Sequence, residues 1–196
     1  MKVCFRLKAG IFTAFLFGRF SMNAKKIRSL VFSAACIAIG LYLPFLTGQI
    51  PQIGSRLSPM HIPVLLCGFL CGWQYGAAAG AIMPLLRGLL FGMPPLIPTG
   101  LAMAFELAAY GAFSGILNAI LPKKIGYVYL SLILSMLLGR IVWGVVTALI
   151  CMADGSAFSF SMFLAGAFVN AVPGIILHIA IIPPIVLALR RANFPE

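Results

Sequence analysis

The stretch IGYVYLSLILSMLLGRIVWGVVTALICMA, residues 125–153, contains a single charged side chain, Arg140, in 29 consecutive residues. A transmembrane helix needs about 20 predominantly apolar residues to cross a hydrocarbon core of about 30 Å. The stretch therefore predicts a membrane-spanning helix. An arginine inside a bilayer is costly and usually faces a cavity or a partner, so Arg140 is also a candidate functional residue.

The composition extends this prediction to the whole chain. Hydrophobic residues make up 62% of the 196 residues, and charged residues make up only 9%. Soluble domains contain about 45–50% apolar residues and about 25% charged residues. The chain is therefore expected to be an integral membrane protein surrounded by the lipid bilayer. Its net charge of +11 does not indicate a nucleic-acid partner, because the basic residues flank apolar stretches.

Apolar stretches separated by proline, glycine or charge predict an all-α fold of six transmembrane helices. Their approximate ranges are 27–46, 61–75, 77–91, 100–121, 125–153 and 160–189. We expect them to form one substrate-binding domain over residues 22–196. Residues 1–21 are basic with a short apolar centre, which we interpret as either an extension on the inner membrane surface or a mis-assigned start before Met22.

The lysine and arginine residues predict the orientation of the six helices. Eleven of the 14 basic residues lie before or at the start of the first helix, between the fourth and fifth helices, or after the sixth. With six spans, all three places lie on one side of the membrane, which the positive-inside rule identifies as the cytoplasm. Both termini are thus expected to be cytoplasmic in a multi-pass protein of the bacterial plasma membrane.

Three charges remain inside the predicted helices: Arg87, Glu106 and Arg140. Two arginines and one glutamate leave one surplus positive charge, and an unpaired buried cation is expensive. A bound anion would offset it, which favours an outward-facing pocket for a small acidic or zwitterionic solute. The alternatives are an internal Arg–Glu pair that only fixes helix packing, and an Arg87 side chain that reaches out to lipid headgroups.

The predicted topology places Arg87 in the last turns of an outward-running helix, with Glu106 as its partner when the site is empty. Tyr110 shares a helix face with Glu106, Trp143 lies three residues after Arg140, and Asn170 lies in the sixth helix. We expect these side chains to line the same pocket.

The two histidines are weaker candidates for the pocket. His61 opens the second helix, and His178 is expected to pack deep in the sixth helix, nearer the inner side.

No metal, cofactor or catalytic residue is expected. The five cysteines are an odd number in apolar segments, so they do not describe a disulfide framework. Cys67 and Cys71 share a helix face, but no further metal ligands lie near them in the sequence. The sequence also contains no G-x-x-x-x-G-K-[ST] motif, so the chain does not hydrolyse ATP by the P-loop route.

Three stretches resemble the substrate-binding S components of energy-coupling factor (ECF) vitamin transporters. They are LTGQIPQIG (46–54), LSPMHIPVLLCGFLCGWQYGAAAGAIMPLLRGLLFGMPP (57–95) and AMAFELAAYGAFSGIL (102–117). The resemblance covers about residues 25–190, and within the superfamily it is greatest to the pantothenate type.

The resemblance implies six helices with cytoplasmic termini and high-affinity binding of a vitamin at the extracellular side. It implies that the loop from Thr47 to Met60 is a lid, with Gln49, Gln52 and Arg56 on it. ATP hydrolysis would come from two partner ATPase (A) subunits, and a membrane scaffold (T) subunit would dock on the A-x-x-x-A motif, Ala34 and Ala38. The chain itself is then not an enzyme.

Pantothenate is the favoured substrate, because its carboxylate, hydroxyls and amide suit one surplus arginine near Asn and Tyr side chains. Riboflavin, pyridoxine, niacin, folate or a similar micronutrient are the alternatives. A small intramembrane enzyme or an assembly subunit are the alternatives from other functional classes.

Overall fold

The computed structural model describes residues 24–46, 57–156, 159–169 and 171–192, and its regular structure there is entirely helical. The seven α-helices are α1 (Ala24–Leu46), α2 (His61–Cys71), α3 (Trp73–Phe91), α4 (Leu101–Ile120), α5 (Ile125–Ala153), α6 (Phe160–Leu164) and α7 (Val172–Arg191). Two π-helical turns, Leu96–Gly100 and Ala165–Val169, lead into α4 and follow α6. The predicted extension over residues 1–21 lies outside the described residues.

The predicted helix boundaries hold for most of the chain and fail at two places. The fifth helix has the predicted bounds. The break between α2 and α3 falls at Gly72, four residues before the predicted boundary at Gly76 and within the GWQYG stretch (72–76), because Gly72 adopts a φ of 95° that side-chain-bearing residues rarely tolerate. The predicted sixth helix is not continuous, since it is divided into α6, a π-helical turn and α7.

In the part of the chain that the structure describes, four helical stretches are long and apolar enough to cross a membrane: Lys25–Leu46, Leu96–Ile120, Ile125–Ala153 and Phe160–Arg191. A shorter apolar helix, α2, has 11 residues, which at about 1.5 Å per residue is too short to cross the bilayer alone. The prediction of a helical membrane protein is supported, while the count of six spans and their orientation stay predictions.

Glycines allow α3 and α4 to pack backbone against backbone. A Cβ atom built on Gly111 of α4 would lie 2.1 Å from the Gly76 carbonyl oxygen of α3. One built on Gly80 would lie 2.2 Å from the Leu107 carbonyl oxygen. Small residues spaced by four are a common means of close helix approach in membranes. This contact determines the rotation of α3 and of α4 about their axes, and so which side chains of each helix point toward the other helices.

The main apolar core lies among α2, α4, α5 and α7. Phe69, Tyr110, Leu132 and Ile182 are fully or almost fully buried in it. At one end of this core, Arg190 of α7 donates a hydrogen bond to the Asn118 side chain of α4. Asn118 Nδ2 in turn donates to the Phe69 carbonyl of α2 at 2.9 Å, so three helix ends are joined there.

Candidate functional site

Glu106 lies at the centre of a buried polar cluster. It sits in the second turn of α4 and is only 2% exposed. Its Oε1 atom is 3.0 Å from Arg140 Nη1 of α5 and 3.6 Å from His61 Nε2, at the start of α2. The carboxylate is therefore shared between a guanidinium and an imidazole that come from two other helices.

Aromatic rings complete this cluster. The His61 ring meets the Tyr110 ring edge-on, with centroids 5.0 Å apart. On another side it stacks on the His178 ring of α7, with centroids 5.8 Å apart and planes 27° apart. Four helices, α2, α4, α5 and α7, thus each contribute at least one polar side chain. We call His61, Glu106, Tyr110, Arg140 and His178 the Glu106 cluster.

Arg87 is buried in a different environment. It lies in the last turns of α3 and is 6% exposed. Its Nη1 atom donates a hydrogen bond to the Leu41 carbonyl of α1 at 3.1 Å. Its guanidinium carbon lies 5.5 Å from the centroid of the Phe45 ring, within cation–π range. Phe45 packs edge-on against Phe91 at 4.9 Å, so Arg87 lies where α1 and α3 end.

The expected pairing of Arg87 with Glu106 is wrong, because Glu106 is engaged by Arg140 and His61. The reason is the rotation of α4. The residues of α4 that face α3 are Leu107 and Gly111, which approach Gly80 and Gly76. Glu106 precedes Leu107 by one residue, or about 100° around the helix, and so points toward α2 and α5.

The expected placement of His178 near the inner side is also wrong. His178 lies in the second turn of α7, after the division at Ala165–Val169. Its ring stacks on that of His61, the first residue of α2, so the two histidines lie at the same level of the bundle. The available signal was that both histidines of the chain lie in apolar segments.

The remaining predicted site residues are in several places. Tyr110 and Arg140 belong to the Glu106 cluster, and their place in a substrate pocket stays a prediction. Trp143 stacks on Phe163 with centroids 6.3 Å apart. Ala34 and Ala38 are exposed on one face of α1. Four predicted residues lie outside the described residues: Gln49, Gln52, Arg56 and Asn170.

The Glu106 cluster places one carboxylate among several groups that can donate hydrogen bonds. Glu106 can accept hydrogen bonds, while Arg140, Tyr110 and the imidazoles can donate them. Charge-assisted hydrogen bonds of this kind are among the stronger polar interactions in a low-dielectric interior.

Comparison with known proteins identifies the family. The family model described as "ECF transporter, substrate-specific component" matches residues 28–186. Searches of curated proteins and of solved structures returned no significant match. The family match spans all four candidate membrane helices in whole or large part, together with Arg87, Glu106 and Arg140. The chain therefore belongs to the family of substrate-specific components of ECF transporters.

Proposed function

We propose that this S component binds a small acidic vitamin with high affinity, with pantothenate as the favoured substrate. Membership of the family gives the role of binding a small molecule within an ECF transporter. We infer the chemical class of that molecule from the charged and hydrogen-bonding side chains of the site.

The observation that carries the proposal is the environment of Arg87. The side chain is 6% exposed, and its recorded contacts are a carbonyl oxygen and the Phe45 ring. Glu106, the carboxylate nearest to it in sequence, is already engaged by Arg140 at 3.0 Å. A buried guanidinium is much better satisfied by a carboxylate than by one neutral acceptor. The carboxylate of a bound acid would provide that partner.

The Glu106 cluster offers complementary contacts for the rest of an acidic vitamin. Glu106 accepts from hydroxyl or amide N–H groups, and Tyr110 and Arg140 donate to hydroxyl or carbonyl oxygens. Pantothenate has one carboxylate, two hydroxyls and one amide. Niacin and folate are also acids and are the closest competitors, whereas riboflavin and pyridoxine lack the carboxylate.

The substrate is tested by mass spectrometry of the solute that stays bound through purification, followed by binding measurements. Arg87→Ala should weaken pantothenate binding by more than about tenfold, or about 1.4 kcal/mol. The matched control is Arg191→Ala, which removes an exposed arginine from the last turn of α7. Equal affinities for the two variants would contradict the role of Arg87, and recovery of a non-acidic solute would contradict the substrate class.

For the complex, we propose that a membrane scaffold subunit and two ATPases energise transport, and that both termini of the chain are cytoplasmic. The distribution of basic residues supports this orientation. A fluorescent protein fused to the C-terminus should then fold and fluoresce. Alkaline phosphatase, which is active only after export, should be inactive at the same position, and the reverse pattern would contradict the orientation.

The docking surface that we propose for the scaffold subunit is the exposed face of α1 that contains Ala34 and Ala38. Two small side chains four residues apart allow a second helix to approach closely. Ala38→Leu should block assembly with the scaffold and leave vitamin binding intact. Ala78→Leu, at an exposed alanine of α3, is the matched control. Normal co-purification of the scaffold with the Ala38 variant would reject this surface.

A further inference from the structure

Exposed basic side chains mark three places in the described structure: the start of α1, the turn between α4 and α5, and the end of α7. Arg191 is the exposed arginine at the end of α7. The first two places contain the others, and we call these five residues the basic rim: Lys25, Lys26, Arg28, Lys123 and Lys124. Each of the three places directly adjoins a long apolar helix.

Contacts between the helices bring the two parts of the basic rim to one end of the bundle. Asn118, near the end of α4, donates a hydrogen bond to the Phe69 carbonyl, near the end of α2. Phe32, in the third turn of α1, packs against the core that contains Phe69. The other end of α1 contacts Arg87 in the last turns of α3. The start of α1 and the turn after α4 therefore both lie where α2 ends.

Acidic side chains do not accompany the basic rim in the described part of the chain. The two described carboxylates are those of Glu106, in the second turn of α4, and Asp154, just after α5. Asp154 and Lys124 lie at opposite ends of a 29-residue helix, which is about 44 Å long at 1.5 Å per residue. The described residues thus bring several basic side chains and no acidic one to this end.

Exposed apolar and aromatic side chains directly border the basic rim. Ile27 and Val31 of α1 are 46% and 62% exposed, and Ile125 of α5 is 56% exposed. Trp73 and Tyr127, at the starts of α3 and α5, are 49% and 36% exposed. Tryptophan and tyrosine are enriched at the level of lipid headgroups. A charged edge with an apolar surface beside it suits a ligand with an anionic headgroup and an apolar tail.

We propose that the basic rim binds the phosphate groups of anionic phospholipids and that these lipids stabilise the folded protein. Basic clusters at the ends of membrane helices attract anionic headgroups. α1 packs mainly on α2 and α3, whereas α5 packs mainly on α4 and α7. The two parts of the basic rim therefore belong to different sides of the bundle, which surrounding lipids reach together. The proposal does not depend on the choice of vitamin.

Tryptophan fluorescence tests this binding, because the chain has two tryptophans. Trp143→Phe leaves Trp73, whose backbone lies against Gly115 in the later turns of α4, as the sole indole emitter. We would reconstitute this variant in phosphatidylcholine vesicles that contain brominated phosphatidylglycerol or, at the same mole fraction, brominated phosphatidylcholine. Bromine quenches indole fluorescence on contact. The apparent binding constant should be about fivefold higher for phosphatidylglycerol at low salt, and equal constants would overturn the proposal.

Variants of the lysines test whether the positive charge causes this preference. Lys25→Gln, Lys26→Gln and Lys124→Gln, combined in the Trp143→Phe protein, should lower the ratio of the two constants by more than about twofold. The matched control replaces the same three lysines by arginine, which keeps the charges and should keep the ratio. A ratio that stays unchanged in the glutamine variant, or that falls equally in both, would contradict the proposal.

The unmodified protein provides the same test if the variants fail to fold. Its melting temperature would be measured in a neutral detergent with added short-chain phosphatidylglycerol or phosphatidylcholine. Phosphatidylglycerol should raise the melting temperature more, and added salt should reduce the difference, because salt screens exposed charges. An equal rise with both lipids would overturn the proposal. An equal rise with inorganic phosphate or with soluble polyglutamate would also reject a lipid, in favour of a free anion or an acidic protein surface.

Discussion

Arg87 and Arg140 are both arginines within apolar helices of one chain, but they are held in opposite ways. Arg140 has an ionised partner at 3.0 Å, and its surroundings include an imidazole and a tyrosine. Arg87 has a backbone carbonyl at 3.1 Å and an aromatic face. One guanidinium therefore has a carboxylate partner in the protein, and the other is held by a carbonyl oxygen and an aromatic ring.

The comparison also assigns different roles to the two environments. A buried ion pair depends on both partners, and removing one leaves an uncompensated charge. Under the proposed function, the Arg87 guanidinium contributes to the binding of an acidic substrate rather than to an ion pair within the protein. Stability measurements should therefore be sensitive to Arg140 and Glu106, and binding measurements to Arg87.

The largest effect is expected for Glu106→Gln. It removes the anion and leaves the Arg140 guanidinium buried without one, which typically costs about 3–5 kcal/mol. The melting temperature of the protein in detergent should fall sharply. Combining it with Arg140→Met should recover part of the loss. Asp154→Asn, at the exposed end of α5, is the control, and equal melting temperatures for Glu106→Gln and this control would contradict the pairing.

A smaller loss of stability is expected for a substitution at the contact between α3 and α4. This contact holds Arg87 and Glu106 in their separate environments. Gly111→Ala places a Cβ atom 2.1 Å from the Gly76 carbonyl oxygen, and overpacking of this kind costs about 1–3 kcal/mol. Gly126→Ala, where a Cβ would meet nothing within 4 Å, is the matched control. Both thermal stability and vitamin affinity should fall for the Gly111 variant only.

Arg87→Met should separate stability from binding most clearly. Methionine keeps much of the apolar stem and removes the charge, so the melting temperature should change little. Pantothenate affinity should fall by more than about tenfold. Arg140→Met should instead lower the melting temperature markedly, because it leaves Glu106 buried without its guanidinium. Similar melting temperatures for the two variants would contradict the distinction between the two arginines.

The smallest effect concerns Trp143, whose membership in the substrate site remains a prediction. The chain has two tryptophans, so Trp73→Phe leaves Trp143 as the sole indole emitter. Addition of vitamin should shift or quench its fluorescence if Trp143 lines the site beside Arg140. The matched variant Trp143→Phe, which keeps Trp73, should show no such change. Unaltered emission in the Trp73 variant would remove Trp143 from the site.

Sequence patterns predicted the helices well where hydrophobicity is uninterrupted. The bounds of α5 were predicted correctly because its 29 residues contain a single charge and are flanked by the charged residues Lys124 and Asp154. The sixth predicted helix failed because apolarity does not distinguish a continuous helix from one divided by a π-helical turn. The contact of His178 with His61 joins two helices that are far apart in sequence, so no sequence pattern indicated it.

The identity of the buried charges was determined by the sequence alone. Arg87, Glu106 and Arg140 stand out as the charged residues within long apolar stretches, and any fold must provide for them. The helical membrane class was likewise fixed by composition, because a chain with 9% charged residues cannot cover a soluble surface.

Only the tertiary structure decided which charges meet. Pairing across helices depends on the rotation of each helix about its axis, and one residue changes the direction of a side chain by about 100°. In this protein the close contact between Gly76 and Gly111 sets that rotation for α3 and α4. It turns Glu106 toward Arg140 and His61, and it leaves Arg87 against the end of α1.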